Sequence, residues 1–368
     1  MRINPIDTAT QEAARAASSR LRSWLLHGPA QTQDGAHAGG VAGSVDERKG
    51  ASYIYAEISG YYLLWLAGLG DSAPIPLVAD RATRCLDWIQ REFSGAANPA
   101  TRIPLHDAPA DWRNQAEFFF DQAMVLRGAL AIRARNIAHV SDELLANLMS
   151  KLSLFTHDGC VEAVRPHTDA TSVPVRWSTT SGPFLLKATA AVDLATDLAF
   201  RPQSLLAACR AHLERCGHTG FSAMSDMLHP SLYFAEGLLR YGAREREAAS
   251  QIVSKCLLLQ RMDGAMPETF PSDIGEGENT HRNDVAAQAL RLGLLLGHKQ
   301  EDPASEVRLE KLARLLSTRV DALGRIAFDS DAQTHEANTW TAMFAEQALR
   351  WYSEPDSNHH VMCAELLV

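Results

Sequence analysis

One design recurs six times along this chain: a glycine-marked loop delivers the backbone to an apolar helix whose first turns carry unusual polar residues. The clearest copy is Ile54-Tyr55-Ala56-Glu57-Ile58-Ser59-Gly60-Tyr61-Tyr62-Leu63-Leu64-Trp65-Leu66-Ala67, an apolar run with one carboxylate near its start. Landmarks of the six copies fall near residues 57, 121, 182, 230, 284 and 340, a spacing of about 48 to 64 residues. A period of that size means one supersecondary unit used again.

The unit reads as helix, glycine loop, helix. The first helix of each pair is amphipathic: residues 9–27, 74–93 (opened by Pro74 and Pro76), 141–155 (capped by Ser141), 202–216, 243–260 and 304–320. Its loop carries turn signals such as Asp34-Gly35, Asp158-Gly159, Gly220-Phe221 and Asp263-Gly264. The second helix is apolar nearly all round, as in Tyr61 to Leu69, Leu232 to Leu239 and Val285 to Leu296, which implies burial on every side. An open solenoid would leave that helix one exposed face and need polar caps at both ends. A closed ring buries it completely, so the prediction is an all-α architecture of six hairpins, an (α/α)6 toroid, with the apolar helices inside. No strand-rich segment is evident, although pieces such as Gly324-Arg325-Ile326-Ala327-Phe328 suit short loop ribbons. At 368 residues two or three domains would be ordinary, but a ring grows around one core. Residues 1–352 therefore read as a single toroid domain and 353–368 as a C-terminal tail.

Net charge is −9 with the basic residues dispersed, which argues against a nucleic-acid surface. No apolar run reaches the roughly 18 residues that span a bilayer, and no basic-then-apolar leader is visible. The six cysteines form no C-x-x-C pair, and several fall on apolar helix faces, where reduced core cysteines are expected. Together these features point to a cytoplasmic protein. Metal and cofactor sites are not expected: His359-His360 lies in the tail, and Gly39-Gly40-Val41-Ala42-Gly43 lacks both a preceding strand and a phosphate-binding lysine.

The chain resembles the α/α-toroid superfamily: six-hairpin glycosidases, polysaccharide lyases and epimerases, and terpenoid-cyclase-like rings. Asp158-Gly159, Gly220-Phe221 and Asp263-Gly264 are similar to the D-G-x-F turns of those rings. It looks most like an uncharacterised bacterial group associated with polysaccharide or secondary-metabolite biosynthesis. That likeness rests on Tyr55-Ala56-Glu57-Ile58-Ser59-Gly60-Tyr61, Phe120-Asp121 with Val125-Leu126-Arg127-Gly128, and Arg176-Trp177-Ser178 with Gly182-Pro183. It continues in His229-Pro230 with Glu236-Gly237, Arg282-Asn283-Asp284-Val285-Ala286-Ala287-Gln288, and Asn338-Thr339-Trp340 with Met343-Phe344. The likeness spans nearly the whole chain in short motifs.

In such a ring the inner helices run roughly parallel, so polar residues at their starts converge on one mouth, where helix N-termini favour anions. Glu57, Asp121 and Asp284 are the candidate catalytic acids, since glycosidic cleavage needs one carboxyl to protonate the leaving group and another to activate water or attack. The plainer reading is that each acid caps its helix or pairs with an arginine. The candidate substrate-binding set is Tyr53, Tyr55, Arg176, Trp177, Lys187, His229, Tyr233, Glu236, His281, Arg282 and Trp340. Trp177 and Trp340 follow loops and suit ligand stacking, whereas Trp24, Trp65 and Trp88 have core spacing. His229 before Pro230 reads as a cap or as a proton carrier. His281-Arg282-Asn283-Asp284 suits an anion or a solvated loop entrance, and Lys187, on an apolar run, either snorkels outward or faces the cavity.

The functional expectation is a carbohydrate- or polar-metabolite-processing enzyme using acid/base carboxylates, by glycosidic cleavage or elimination. One alternative is a biosynthetic isomerase or ring-forming cyclase whose anionic substrate is held on a carrier protein, gripped by Arg176, Lys187 and Arg282. Another is a non-catalytic ring that binds a glycan or a partner protein. The expected partner is thus a small molecule or oligosaccharide, with or without a carrier or partner protein, and neither nucleic acid nor membrane.

Overall fold

The computed structural model describes residues 8–95, 99–105, 111–195, 198–217, 226–270, 280–298, 303–329, 336–354, 365 and 367–368. Twelve α-helices stand among these residues, in six pairs. The outer members are α1 (Thr8–His27), α3 (Ile75–Phe93), α5 (Asp142–Ser153), α7 (Gln203–Gly217), α9 (Ala243–Leu258) and α11 (Pro303–Arg319). The inner members are α2 (Ala56–Ala67), α4 (Phe119–Ala134), α6 (Leu186–Asp193), α8 (Leu228–Leu238), α10 (Asn283–Leu296) and α12 (Thr339–Ser353). Each inner helix packs on the next in order, and α12 packs back on α2, so the ring closes.

The inside–outside division follows from side-chain chemistry. In α2 every residue except Glu57 is buried, whereas α9 buries only Ala249, Ile252, Val253, Cys256 and Leu257 and turns its charges outward. Ser141 caps α5 through its hydroxyl, which accepts from Leu144 N at 3.1 Å. Glycine sets the tightest approach in the inner wall. A Cβ on Gly60 would lie 2.5 Å from the α4 backbone at Met124, and one on Gly128 would lie 2.3 Å from the Gly60 carbonyl oxygen. Only hydrogen at both positions lets α2 and α4 meet at that distance.

The seam joins the two ends of the described chain. Helix α1 packs on α11 and α12. Arg22 donates to Glu346 at 2.9 Å, and the same carboxylate accepts from Trp65 Nε1 at 2.9 Å and Arg350 Nε at 3.1 Å.

Short ribbons lace the loops at one end of the ring. Strand β1 (Ser44–Asp46) pairs antiparallel with β2 (Gly50–Ala51) and with β9 (Glu336–Asn338). Strand β3 (Tyr53–Tyr55) pairs with β4 (Arg102–Pro104). Strand β5 (Ala116–Phe118), followed by the small hairpin β6 (Thr156–His157) and β7 (Cys160–Val161), pairs with β8 (Val164–Pro166). Single bridges Met227↔Thr269 and Arg282↔Asp329 continue the lacing. Apart from the local pairs β1–β2 and β6–β7, the segment entering one inner helix is in each case tied to a loop of the next unit. Residues 324–328 form no ribbon strand; instead Ile326 O accepts from Asn338 N and Phe328 O from Asn283 N.

Leu367 and Val368 turn back into the ring and are fully buried. The Val368 carbonyl oxygen accepts from Arg291 Nη1 at 2.7 Å and from Lys187 Nζ at 3.2 Å. Among the described residues no helix is long and apolar enough to cross a membrane. The Gly220-Phe221 turn lies outside the described residues. Cys85, Cys209 and Cys256 are buried, and Cys160 is exposed.

Candidate active site

The laced end opens into a cavity of about 520 Å³ walled by the first turns of the inner helices and the segments that enter them. Glu57, second residue of α2, and Asp121, third residue of α4, stand in its wall. Neither forms an ion pair among the described residues. Asp121 accepts from the Thr101 hydroxyl at 2.7 Å, and Glu57 Oε1 receives the Tyr233 hydroxyl at 3.5 Å, with the Tyr61 and Tyr55 hydroxyls near enough to favour its charged form. Burial pushes Glu57 up to about 7, against the opposing field of Lys187. Burial, reinforced by the charge of Glu57, pushes Asp121 well above the usual carboxylate range. Two carboxyls that cannot both ionise cheaply make one proton donor and one base.

Asp284 takes a different place. It occupies the second position of α10, as Glu57 does in α2, but lies behind the wall. Arg282 grips it through Nε at 3.0 Å and Nη2 at 2.6 Å, and Val285 N donates to it at 2.8 Å. Burial raises its carboxyl, yet Arg282 and His229 outweigh burial and hold it below the usual range. His229 Nδ1 stands 3.3 Å from Asp284 Oδ2 and 2.7 Å from Gln288 Oε1. Burial holds the imidazole down at about 4 despite that carboxylate. Trp340 also points its Nε1 at Asp284, at 3.4 Å. Asp284 is thus the anchor of a positioned trio, Arg282, His229 and Trp340, whose own side chains face the cavity.

Tyr53, Tyr55, Arg176, Trp177 and Tyr233 also line the cavity. The Trp177 ring meets Phe184 edge-on with centroids 5.1 Å apart, and His229 packs tilted against Tyr233 with centroids 4.3 Å apart. Besides Asp284, three of the substrate-binding candidates lie outside the wall. His281 sits outside the wall, with its Nε2 3.1 Å from Arg261 Nη1. Lys187 and Glu236 lie on the ring axis beneath the floor, 2.5 Å apart, where Gly237 lets α8 approach the α6 backbone. Lys187 therefore points inward rather than snorkelling: its Nζ donates to the Tyr61 hydroxyl at 3.1 Å and lies 4.3 Å from the Tyr233 ring centre. Burial draws Lys187 down to about 7. Burial raises Glu236, but Lys187 and Arg291 outweigh it and keep the carboxylate ionised. Tyr61 and Tyr233 thus stand between this network and Glu57.

Several wall residues were not among the site candidates: Thr101, Arg102, Trp112 and Arg113, together with Phe120 and Asn338, which the sequence offered only as parts of motifs. The available signal was Asp111-Trp112-Arg113, an acid, a large ring and a guanidinium closing a proline-rich loop. Among the described residues no cluster of three or more histidine, cysteine, aspartate or glutamate side chains is placed to hold a metal ion, and His359-His360 lies outside them.

Known structures share this plan. Cellobiose 2-epimerase from Spirochaeta thermophila superposes with a TM-score of 0.69 at 12% identity, covering 94% of this chain and 98% of its own. D-mannose isomerase gives 0.69 at 11%, covering 96% and 100%. The chain has the α/α-toroid fold. A type II terpene cyclase from Scytonema, in complex with merosterolic acid A, is a further toroid of the same plan, with a TM-score of 0.58 at 12% identity over 94% and 99% of the two chains. No family model matches this toroid, and no curated protein matches its sequence. At these identities the likeness carries the fold, and function rests on the site.

Proposed function

We propose that this toroid is an acid/base enzyme that processes a carbohydrate or comparable polar metabolite, with Glu57 and Asp121 as the reacting carboxyls. The supporting observation is that these two, alone among the three candidate acids, face the cavity without an arginine partner among the described residues. One carboxyl of this pair, still protonated, protonates the departing oxygen, and the other, once ionised, takes a proton from water or from substrate carbon. Tyr233 donates to the Glu57 carboxyl, with Tyr55 and Tyr61 beside it, while Trp177 and Trp340 line the cavity where a ring would stack. Glycosidic cleavage or elimination fits this set. Sugar-acting toroids such as the epimerase, the isomerase and an unsaturated glucuronyl hydrolase specific for heparin lend the reading their analogy.

A second reading has its own observation. Phe118, Phe120, Phe184 and Phe328 share the wall with the proton donor, and aromatic faces stabilise a cation formed by protonating an alkene, as ring formation requires.

The test is turnover of a panel of neutral glycosides, uronides and polyprenyl arenes by wild type, Glu57→Gln and Asp121→Asn. Glycoside or uronide turnover lost in both variants supports the first reading, and cyclisation of the polyprenyl substrate moves the assignment to the second. Ligand binding with unchanged behaviour in both variants would leave a non-catalytic ring.

A further inference from the structure

Most buried cations of this toroid are spoken for. Arg282 divides its guanidinium between Asp284 and Glu268, and Lys187 and Arg291 share Glu236. The mouth is different. Arg102 and Arg113 both line the cavity and, among the described residues, have one carboxylate between them, Asp111. Arg113 monopolises it: Nε stands 2.9 Å from Oδ2 and 3.1 Å from Oδ1, Nη2 also contacts Oδ2, and the Arg113 amide is capped by Oδ1. Arg102 reaches the same carboxylate only at 4.0 Å, and its buried Nε has no hydrogen-bond partner among the described residues.

Arg102 is nonetheless held in place. Its backbone is fixed opposite Tyr55 in the β3–β4 ribbon, its carbonyl accepts from Asn114 Nδ2 at 2.9 Å, and its guanidinium lies 4.4 Å over the Tyr53 ring. A pre-oriented guanidinium with free donors, stacked on an aromatic face beside a second arginine, has the geometry that recognises a carboxylate bidentately. Arg102 and Arg113 remain 23% and 30% exposed, so the cavity side of each is open to a ligand.

We propose that Arg102 and Arg113 form an anion subsite at the mouth that takes the carboxylate of an acidic sugar, with Tyr53 fixing the Arg102 guanidinium. This rests on the reading of the cavity as a site of polar-metabolite processing and names the substrate class within it. A carboxylate seated there places the rest of the sugar ring toward Glu57 and Asp121, on the same wall.

The experiment is a thermal-shift titration of sodium glucuronate against glucose at constant ionic strength, on wild type, Arg102→Lys, Arg102→Met and Glu57→Gln. Glucuronate is expected to raise the wild-type Tm where glucose at ~20 mM does not. Apparent affinity should fall about tenfold or more in Arg102→Met, less in Arg102→Lys, and hold in Glu57→Gln. Equal shifts by both sugars, no shift by glucuronate, or an Arg102→Met shift equal to wild type each overturn the subsite. A pH–rate profile displaced in Arg102→Met with glucuronate affinity unchanged also overturns it, leaving Arg102 as a counter-charge to Asp121. The two proposals fail separately. Glucuronate bound through Arg102 without turnover of any uronide removes the acid/base reading and keeps the subsite. Turnover of neutral glycosides unaffected by Arg102→Met does the reverse.

Discussion

Lys187 Nζ lies 2.5 Å from Glu236 Oε2 with both side chains sealed from solvent, and Arg291 holds the other oxygen at 3.0 Å. One buried anion thus serves two cations. Removing Glu236 takes the shared carboxylate from both cations and leaves them the Val368 oxygen, whereas removing Lys187 leaves Glu236 still paired with Arg291. Glu236→Gln is therefore expected to cost about 3–5 kcal/mol, and Lys187→Met measurably less, in urea unfolding. The opposite order would mean that the network is not centred on the carboxylate.

The pH–rate profile should report Glu57. With its carboxyl pushed up to about 7 by burial, a donor role makes activity fall as pH rises through about 7. Glu57→Gln should lower kcat roughly 10²–10⁴-fold and erase that limb. The same shift acts on stability. Between 4.5 and about 7 the unfolded chain releases a proton that the folded chain keeps, so folded stability declines as pH rises across that window. An alkaline limb that survives Glu57→Gln would assign the proton to another group.

His229 carries the opposite sign. Its folded value near 4 lies below the ordinary 6.5, so the unfolded chain binds the proton first as pH falls. Stability present above 6.5 is lost on acidification toward 4, by about 3 kcal/mol at full extent. His229→Gln should flatten that part of the curve of unfolding midpoint against pH. An unchanged slope would show that the imidazole is not buried neutral.

Gly60→Ala drives a methyl into the α4 backbone. Overpacking of this kind costs about 1–3 kcal/mol, and rigid backbone on the far side places it at the upper end. Because α2 and α4 carry Glu57 and Asp121, the separation of the carboxyls changes with the helices. The variant should lose kcat at temperatures where it is still folded by circular dichroism. Full activity below its melting transition would show that the carboxyl pair tolerates the displacement.

The ring itself was legible because burial leaves a mark on composition. A helix such as α2, apolar on every face but for Glu57, has nowhere to go except an interior, and the starts of the outer helices α3 and α5 follow from Pro74 and Ser141. The site was legible only as a neighbourhood. Glu57 and Asp284 hold the same position in their helices and look alike in sequence, yet one faces a cavity and the other an arginine. What separates them is helix rotation, about 100° per residue, set by neighbours far away in the chain. Arg102 was missed for a related reason: its value comes from a strand register that places it against Tyr55 and over Tyr53. Lys187 draws its partners from α2, α8 and the buried Val368, contacts that no local pattern encodes.

The seam between α1 and α12 has a consequence for how the molecule is made. Arg22 and Glu346 are 324 positions apart, and Arg15 reaches Ser353 across 338. On the ribosome α1 emerges before the other helices of the ring, with Leu21, Trp24 and Leu25 on one face, and its docking surface on α11 and α12 follows after all of them. At about 5–20 residues per second that face waits tens of seconds uncovered, the interval in which chaperones find their clients. Of the ring's helices, the earliest made is among the last to be buried.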